Sequence, residues 1–506
     1  MTSIWLILTI VIPLFGAAVQ MLMRVLDFRS RTVAMWIGVG CSLVSGLIGV
    51  SGLLLASKGG MSFQYRELYD WLNPYSIHFD LLVDGVNAPL VLLISVVFPL
   101  ILASYFYRKE QGAFFSTMVL LMQSASIGLV CSNDLFFVLV FWSFLPLPLY
   151  FLISILESGP GPEAGFRFLF FSFLGSAFFF AAVILIYFAS RTGEFSISAL
   201  LGGEEIRSGL TVFGYDVNVA VLAFVLLNAA LFFRLPMFPL HGWFHRLVVN
   251  APDSVNVLLM GVYIPAALYV YLRLGFSLFP KEIAHLSFLL TVYGVLTYLY
   301  ASVCAVSQKS PRLFLSFCVM AQVSLFLVGV STLHSAGVVG ALLHLVAAAL
   351  ALTCAAFLFG VMGERFGSIQ LGGVLDWADG GSVKKIGAPG TMIIGCIVLF
   401  ALVGVPGTVL FVSQSLIMIG GLSVSAGVLA AVVVGSLIML VAVFRVFKSL
   451  FIAKLVVADG ESAELTRNEK IYLVPLVLII LALGLYPVFL VNLLRPSALT
   501  LLSIVK

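Results

Sequence analysis

The chain has 506 residues, of which 62% are hydrophobic and 9% charged, and its net charge is +4. A soluble domain carries roughly a quarter of charged residues. This composition leaves nothing to cover a water-facing surface and excludes a soluble protein. The Lys and Arg residues are spread over short loops and form no basic patch, which excludes a nucleic-acid partner.

Apolar runs of about 20 residues, long enough to cross ~30 Å of hydrocarbon, recur along nearly the whole chain. They predict an all-α polytopic membrane protein with about 14 transmembrane helices. The first run has no basic segment before it and is interpreted as a true span, not a signal peptide. The predicted spans are 3–23, 33–56, 86–107, 113–131, 135–156, 166–190, 218–240, 254–276, 284–305, 313–332, 336–361, 388–420, 423–446 and 471–493.

Two of these spans should be broken helices. The span at 218–240 contains Pro236 and Pro239, and the long span at 388–420 contains Pro406 in a Gly-Val-Pro-Gly sequence. Proline removes a backbone donor, and a broken helix is tolerated at membrane depth only where it lines a cavity or packs in protein. Breaks in corresponding segments indicate two inverted five-helix repeats.

The repeats predict four segments. Helices 1–3 occupy residues 1–110. The first repeat covers 111–250, with its last helix running to 276, and the second covers 277–420, with its last helix running to 446. Residues 447–506 form a cytoplasmic loop and a C-terminal helix.

The distribution of positive charge predicts the orientation. The odd-numbered loops hold 17 of the 26 Lys and Arg residues, whereas the even-numbered loops and the C-terminal tail hold 8. By the positive-inside rule the odd loops are cytoplasmic and both termini lie outside, in a plasma (inner) membrane.

An ionisable group inside a span is a functional-site hypothesis, and Arg234 is the sharpest case. Burying it costs ~2.5–3.5 kcal/mol, so it needs a polar partner or a water cavity. It could bias an ion path but cannot release its proton. The alternative is a structural arginine that bonds carbonyls freed by Pro236 and Pro239.

Three histidines are further candidates. His241 and His245 lie four residues apart, but no third ligand accompanies them, so no metal is predicted. His241 could relay protons or cap a helix. His344 lies in a helix of small residues and could be a relay or a hydrogen-bonded core histidine.

The other polar side chains within spans are uncharged. Ser143, Gln322 and Gln414 could order water without titrating, and Asn228 and Gln123 complete the set. The six cysteines lack metal-site spacing and no catalytic constellation appears, so no cofactor is predicted. Any redox chemistry would belong to partner subunits.

Several motifs resemble a known family. The segment Leu-Pro-Met-Phe-Pro-Leu-His-Gly-Trp at 235–243 is similar to a signature of the antiporter-like subunits of respiratory complex I, in particular the M-type (mitochondrial fourth-subunit) homologues. The sequences at 84–90, 133–153, 308–312 and 404–412 resemble further blocks of that family in the same order.

The resemblance implies a fold, a partner set and an activity. The family fold has fourteen helices, and each of its two repeats forms a proton half-channel. Its members assemble with other membrane subunits in the bilayer, and a peripheral redox or carbon-handling subunit could join them. Related assemblies are Mrp-type antiporters, membrane-bound hydrogenases and inorganic-carbon uptake complexes.

Several positions depart from the family pattern. Ser143 stands at the fifth-helix Glu, Arg234 at the seventh-helix Lys and Gln414 at the twelfth-helix Glu or Lys, while the eighth-helix Lys has no counterpart. Gln322 replaces a tenth-helix His, and His344 lies one turn from Ala348, which replaces another. Charge remains at Arg167 and Arg312.

The leading prediction is therefore an antiporter-like subunit of a complex I-type assembly with a degenerate channel. The alternatives are a silenced structural scaffold and a membrane partner of an inorganic-carbon uptake or membrane hydrogenase complex. The sequence contains no catalytic site that would make this chain an enzyme on its own.

Overall fold

The computed structural model describes residues 4–27, 30–56, 64–72, 76–105, 112–156, 160–190, 193–201, 209–212, 215–366, 371, 389–452 and 464–505. Within these ranges, twelve helices are long and apolar enough to cross a membrane, and four shorter apolar helices accompany them. The prediction of an all-α polytopic membrane protein is confirmed, with fourteen spans an approximate count.

The elements of the N-terminal half are α1 (Trp5–Val25), α2 (Arg31–Ala56), β1 (Gln64–Leu72), β2 (Ile77–Asp84), α3 (Ala88–Tyr105), α4 (Gly112–Cys131), α5 (Leu135–Phe144), α6 (Pro146–Leu156), α7 (Gly161–Ala189), α8 (Ile197–Leu200), β3 (Gly209–Val212), β4 (Tyr215–Asn218), α9 (Val219–Arg234) and α10 (Gly242–Asn250). Those that follow are α11 (Asp253–Leu258), α12 (Ile264–Val270), α13 (Pro280–Ser307), α14 (Pro311–Ser331), α15 (Ser335–Phe366), α16 (Pro389–Ala401), α17 (Val409–Val424), α18 (Ala426–Phe447), α19 (Arg467–Leu485) and α20 (Val488–Val505), with π-helical turns at Leu259–Tyr263, Tyr271–Phe276 and Lys448–Ile452.

The chain folds into two compact units. Unit 1 comprises Met1–Leu235, Val262–Ser287 and Leu493–Lys506, and unit 2 comprises Pro236–Gly261 and Phe288–Asn492. In unit 1, α4 is buried along most of its length and packs against α1, α2, α3, α5 and α6. In unit 2, α15 is buried along most of its length and packs against α11, α14, α16, α17 and α19.

Glycines set the closest helix contacts in both units. In unit 1, a Cβ on Gly175 of α7 would lie 2.9 Å from the carbonyl oxygen of Ala230 in α9. In unit 2, a Cβ on Gly340 of α15 would lie 2.8 Å from the backbone nitrogen of Ile417 in α17. Small residues let membrane helices approach at this distance, which favours packing without a hydrophobic driving force.

Both predicted helix breaks are confirmed. The helix before Pro236 ends at Arg234, and α16 ends at Ala401, five residues before Pro406. The structure contains a third break that the sequence analysis does not predict. The span at 135–156 consists of two helices: α5 ends at Phe144, and α6 begins at Pro146. Proline explains all three, since it cannot donate the helical hydrogen bond.

Two short antiparallel hairpins, β1–β2 and β3–β4, are a departure from the prediction of helices and loops alone. The first is tied to a helix start: the Glu67 carboxylate of β1 accepts hydrogen bonds from the backbone N–H groups of Leu6 at 2.8 Å and Ile7 at 3.1 Å. Those N–H groups have no partner within their own helix. The hairpin therefore caps α1.

The C-terminal prediction needs a correction. A single last span at 471–493 was expected, but α19 ends at Leu485 and α20 follows the Tyr486-Pro487 sequence as a second apolar helix. Pro487 has no N–H to continue the earlier helix. Residues 453–463 of the predicted loop before α19 lie outside the described residues.

Candidate functional site

The buried polar side chains form separate clusters in the two units. In unit 1 the centre is Arg234, the last residue of α9, which is 0% exposed. Its Nη1 donates a hydrogen bond of 2.8 Å to the backbone carbonyl of Trp142 in α5. The predicted buried location of this side chain is correct, and its partner is a carbonyl.

That carbonyl is available because of the unpredicted break. In a continuous helix the Trp142 carbonyl would accept from the N–H of residue 146, but Pro146 has none. The structural alternative for Arg234 expected carbonyls freed by Pro236 and Pro239. The carbonyl it bonds is instead one freed by Pro146 on a different helix.

Two aromatic faces complete the surroundings of Arg234. Its Cζ lies 3.8 Å from the ring centroid of Trp142 and 4.6 Å from that of Tyr263. The Tyr263 hydroxyl in turn lies 2.9 Å from Ser172 Oγ. Desolvated cation–π contacts of this kind contribute about 2 kcal/mol each.

The described residues leave Arg234 without an opposite charge. Its Nε and Nη2 have no hydrogen-bond partner there, and no described carboxylate forms an ion pair with it. Ser143, beside Trp142, is half-buried and is not bonded to the guanidinium. Unit 1 therefore holds a permanent cation in contact with two aromatic rings.

In unit 2 the two histidines of the first break lie close together but bond different partners. The ring centroids of His241 and His245 are 4.9 Å apart. His241 Nε2 lies 3.2 Å from the Tyr300 hydroxyl, and His245 Nδ1 lies 2.7 Å from Ser316 Oγ. Pairing at this spacing was predicted, whereas Tyr300 and Ser316 were not.

The hydrogen-bond pattern assigns the His245 tautomer. Ser316 Oγ donates to the Leu313 carbonyl at 2.6 Å, so it must accept from His245 Nδ1–H. His245 Nε2 is then a bare acceptor, and neither it nor His241 Nδ1 has a hydrogen-bond partner among the described residues. The two unpartnered nitrogens belong to neighbouring rings.

A second cluster of unit 2 is centred on His344, which is 0% exposed. Its Nε2 lies 3.1 Å from the Gln322 carbonyl, which can only accept, so Nε2 carries a proton. Its Nδ1 lies 3.1 Å from Ser413 Oγ in α17. The Ser413 hydroxyl also lies 2.9 Å from the Leu410 carbonyl, so its single proton can go either to that carbonyl or, when the ring is neutral, to Nδ1.

Gln322 joins this cluster to the second predicted break. Its Nε2 donates a hydrogen bond of 2.8 Å to the Leu402 carbonyl, four residues before Pro406. Gln414 lies at the same break: a Cβ on Gly404, whose φ is +71°, would lie 2.5 Å from Gln414 Oε1. Three of the predicted residues, Gln322, His344 and Gln414, thus lie around the break in unit 2.

The two retained arginines lie elsewhere. Arg167 forms an exposed ion pair of 2.6 Å with Glu163, one turn earlier in α7. Arg312 bonds Asp253 at 2.8 Å and the Val249 carbonyl at 2.9 Å. Neither side chain is hydrogen-bonded to a member of the buried clusters, so their place in an ion path remains a prediction.

Asn228 and Gln123, the remaining polar residues singled out within spans, bond backbone carbonyls. Asn228 Nδ2 donates to Phe224 at 2.8 Å, and Gln123 Nε2 lies 3.4 Å from Ser42. In the part of the chain that the structure describes, no group of three or more His, Cys, Asp or Glu side chains could hold a metal ion.

An ion pair near the start of α3 was also missed. Arg273 Nη1 bonds Asp84 at 2.5 Å, and Asp84 accepts from the backbone N–H groups of Val86 and Asn87. Asp84 lies in one of the motifs that carried the family resemblance. The pairing itself has no local sequence signal, because 189 positions separate its members.

Comparison with known proteins places these clusters in a family context. Residues 132–449 match the family model described as NADH:quinone oxidoreductase/Mrp antiporter, transmembrane. The chain is 24% identical to NADH-quinone oxidoreductase subunit M of Rickettsia felis, over 92% of both chains. It is also 24% identical to the subunit M of Rhodobacter capsulatus, over 92% of this chain and 89% of the relative.

Solved structures share the fold. A chain of respiratory complex I from Thermus thermophilus has a TM-score of 0.85 at 21% identity, covering 99% of this chain and all of that one. A chain of an archaeal membrane-bound sulfane sulfur reductase has a TM-score of 0.83 at 22% identity, and one of the Mrp complex from Dietzia sp. has 0.81 at 18%, both over the full length of each chain.

Proposed function

The chain belongs to the NADH:quinone oxidoreductase/Mrp antiporter transmembrane family, and we propose that it works as an antiporter-like membrane subunit of a complex I-type assembly. The observation that carries the proposal is the similarity to M subunits over 92% of the chain. Redox chemistry or another energy input occurs in other chains, and the partners of this one are other membrane subunits and the bilayer.

Unit 1 supports a modified channel. An arginine remains protonated at any ordinary pH, so Arg234 cannot pass a proton on. Its contacts with Trp142 and Tyr263 hold the charge in place. Position 234 therefore supplies a fixed positive potential.

Unit 2 keeps a titratable group. His344 can take a second proton at Nδ1 if the Ser413 hydroxyl turns away, and that hydroxyl already has the Leu410 carbonyl as an acceptor at 2.9 Å. The ring then donates from both nitrogens. His344, Ser413 and Gln322 are the residues through which unit 2 would respond to protons.

The test is proton flux in proteoliposomes that contain the whole complex, followed with a pH-sensitive dye. Gln414→Glu and Ser143→Glu should change the flux more than Gln414→Ala and Ser143→Ala, because only the carboxylates add a titratable group. If the alanine variants abolish flux while the complex stays assembled, both side chains are working parts and the degenerate channel is wrong.

A silenced scaffold is the second candidate, favoured by the fixed charge of Arg234. It differs from the first in its response at His344. In a conducting subunit His344→Phe lowers the flux of the assembled complex, whereas in a scaffold it leaves the flux unchanged.

We also propose that the chain contains two inverted repeats, because each has the same two features. The first repeat covers 111–250, with its last helix running to 276, and the second covers 277–420, with its last helix running to 446. Each contains a proline-broken helix, at Pro236 and at Pro406. In each, a buried polar side chain bonds a carbonyl at a helix break, that of Trp142 in the first and that of Leu402 in the second.

The proposed location is the plasma membrane, with the odd loops cytoplasmic and the termini outside. Labelling of Ser462→Cys with an impermeant maleimide in intact cells should fail unless the membrane is opened, because the loop that contains it is rich in Lys. Thr2→Cys, next to the N-terminus, serves as the matched site on the outer side. Labelling of the Ser462→Cys variant from outside would contradict the proposed orientation and indicate the opposite one.

A further inference from the structure

Unit 1 contains a cavity of about 700 Å³ that is separate from the Arg234 cluster. It lies where α1 ends and where α2 and α4 begin. Helix ends that follow or precede a span lie at the level where hydrocarbon meets water. The cavity therefore opens at one membrane surface.

Three sources of positive charge converge on this cavity. Arg24 and Arg31 line it, and Arg31 lies over the first turn of α4: a Cβ on Gly112 would be 2.9 Å from Arg31 Nε. The first N–H groups of the 20-residue helix α4 lack helical partners and carry partial positive charge. None of the described residues that line the cavity bears a carboxylate.

The floor of the cavity offers no spare polar atom. Gln20 Nε2 donates to the Ala34 carbonyl at 2.8 Å and to Ser116 Oγ at 2.9 Å, and its Oε1 accepts from Thr117 Oγ1 at 2.9 Å. An incoming ligand would find no hydrogen-bonding group there. The polar groups that can contact a ligand are the two arginines, the start of α4 and the hydroxyl of Ser30.

One wall of the cavity is apolar and is formed by Met23, Ala113, Phe114 and Ile155. Arg24 lies over one of these side chains, with its Cζ 5.8 Å from the Phe114 ring centroid. A cationic rim beside an apolar wall fits a molecule with an anionic head and a hydrocarbon tail. A free inorganic anion would leave the apolar wall unused.

We propose that this cavity binds an anionic phospholipid, with its phosphodiester head group at Arg24, Arg31 and the start of α4 and an acyl chain on the apolar wall. Basic pockets between membrane helices bind such head groups by charge. The proposal does not depend on whether the subunit conducts protons.

The test compares lipid retention by the whole complex in nanodiscs of phosphatidylglycerol and phosphatidylcholine, measured by lipid mass spectrometry after purification. The wild type should retain phosphatidylglycerol selectively. Arg24→Gln combined with Arg31→Gln should weaken that retention about 25-fold, since each basic side chain near a membrane surface contributes about fivefold. Arg495→Gln, an exposed arginine of α20, is the matched control and should change nothing.

A second variant guards against loss of assembly. Gly112→Ala keeps every charge but displaces the Arg31 side chain from α4, so it should weaken retention several-fold in an intact complex. Equal retention of the two lipids by the wild type, or unchanged retention in both cavity variants, would overturn the proposal. If millimolar inorganic phosphate displaces the lipid, the cavity recognises a free anion and not a lipid, and this result would also overturn the proposal.

Discussion

The two units meet the same backbone problem with different side chains. In each, a helix break leaves a carbonyl without a helical N–H: Trp142 before Pro146 in unit 1, and Leu402, just after the end of α16, in unit 2. Unit 1 satisfies the carbonyl with Arg234, a permanent cation, and unit 2 with Gln322, a neutral amide. The helix breaks are alike, but the charge placed beside them is not.

The difference separates a fixed potential from a titratable group. The guanidinium of Arg234 contacts two rings and cannot change its charge. Gln322 adds no charge, and its backbone carbonyl instead holds His344, whose second nitrogen faces a hydroxyl with an alternative acceptor. A response to protons is therefore expected from unit 2.

The same arrangement recurs beyond these clusters. Ser45 Oγ donates to the Thr9 carbonyl, four residues before Pro13, at 2.7 Å. Asn256 Nδ2 donates to the Val248 carbonyl, four residues before Pro252, at 2.9 Å. Among the described residues these caps are neutral, and the charged cap at Trp142 stands apart from them.

The largest stability effect is expected in unit 1. Trp142→Ala should lower the free energy of unfolding by about 3–5 kcal/mol, because it empties a fully buried site and removes a ring from Arg234. Titration of the purified complex with SDS measures the effect. Trp36→Ala, at a tryptophan that is 62% exposed, is the control. Equal unfolding midpoints for the two variants would show that the Trp142 ring does not stabilise the cluster.

A smaller effect is expected in unit 2. Gln322→Leu leaves the Leu402 carbonyl without a partner and should cost about 1–3 kcal/mol in the same titration. Gln123→Leu is a matched control, because Gln123 is also buried but contacts Ser42, whose carbonyl keeps its partner in the continuous helix α2. A cost for the control as large as that for Gln322→Leu would contradict the role of the freed carbonyl.

An effect of similar size, but dependent on pH, concerns the start of α5, the helix whose end bonds Arg234. Asp134 lies just before this span and caps it by accepting from the Phe136 N–H at 2.8 Å. Burial raises its pKa to about 6, above its value in the unfolded chain. Its contribution to stability is therefore complete below pH ~4 and is lost as the pH rises through about 6.

Asp134→Asn removes this titration and can keep the bond to Phe136. Relative to the variant, the wild type should lose about 1–3 kcal/mol of unfolding free energy between pH 4 and pH 8. Midpoints of SDS titrations at several pH values measure the difference. A constant difference across that range would show that the carboxyl does not titrate there.

The sequence predicted the features that follow from single residues. Low charge and repeated apolar runs indicate the membrane class, and proline inside a span indicates a break. Arg234 was expected to be buried because few charged residues lie within the spans. What it could not provide was the partner, since Trp142 lies 92 positions away and packing alone brings the two together.

The break at Pro146 and the strand β2 each have a sequence signal, but the apolar helical pattern around them made it hard to recognise. Pro146 and Pro148 lie inside an apolar run that was interpreted as one span, although each lacks the N–H of a continuous helix. In β2, apolar Ile77, Phe79 and Leu81 alternate with other residues, a strand period that short length made easy to overlook. Tyr263 and Ser413 carried no signal, because their roles depend on helices distant in sequence.

The cap on α1 has a consequence for synthesis of the chain. Glu67 is made about sixty residues after the N–H groups of Leu6 and Ile7 that it bonds. During translation the first helix must enter the bilayer before its cap exists, so its opening turn relies on water or lipid head groups for hydrogen bonds. That turn becomes complete only when the first hairpin has left the ribosome and folded back on it.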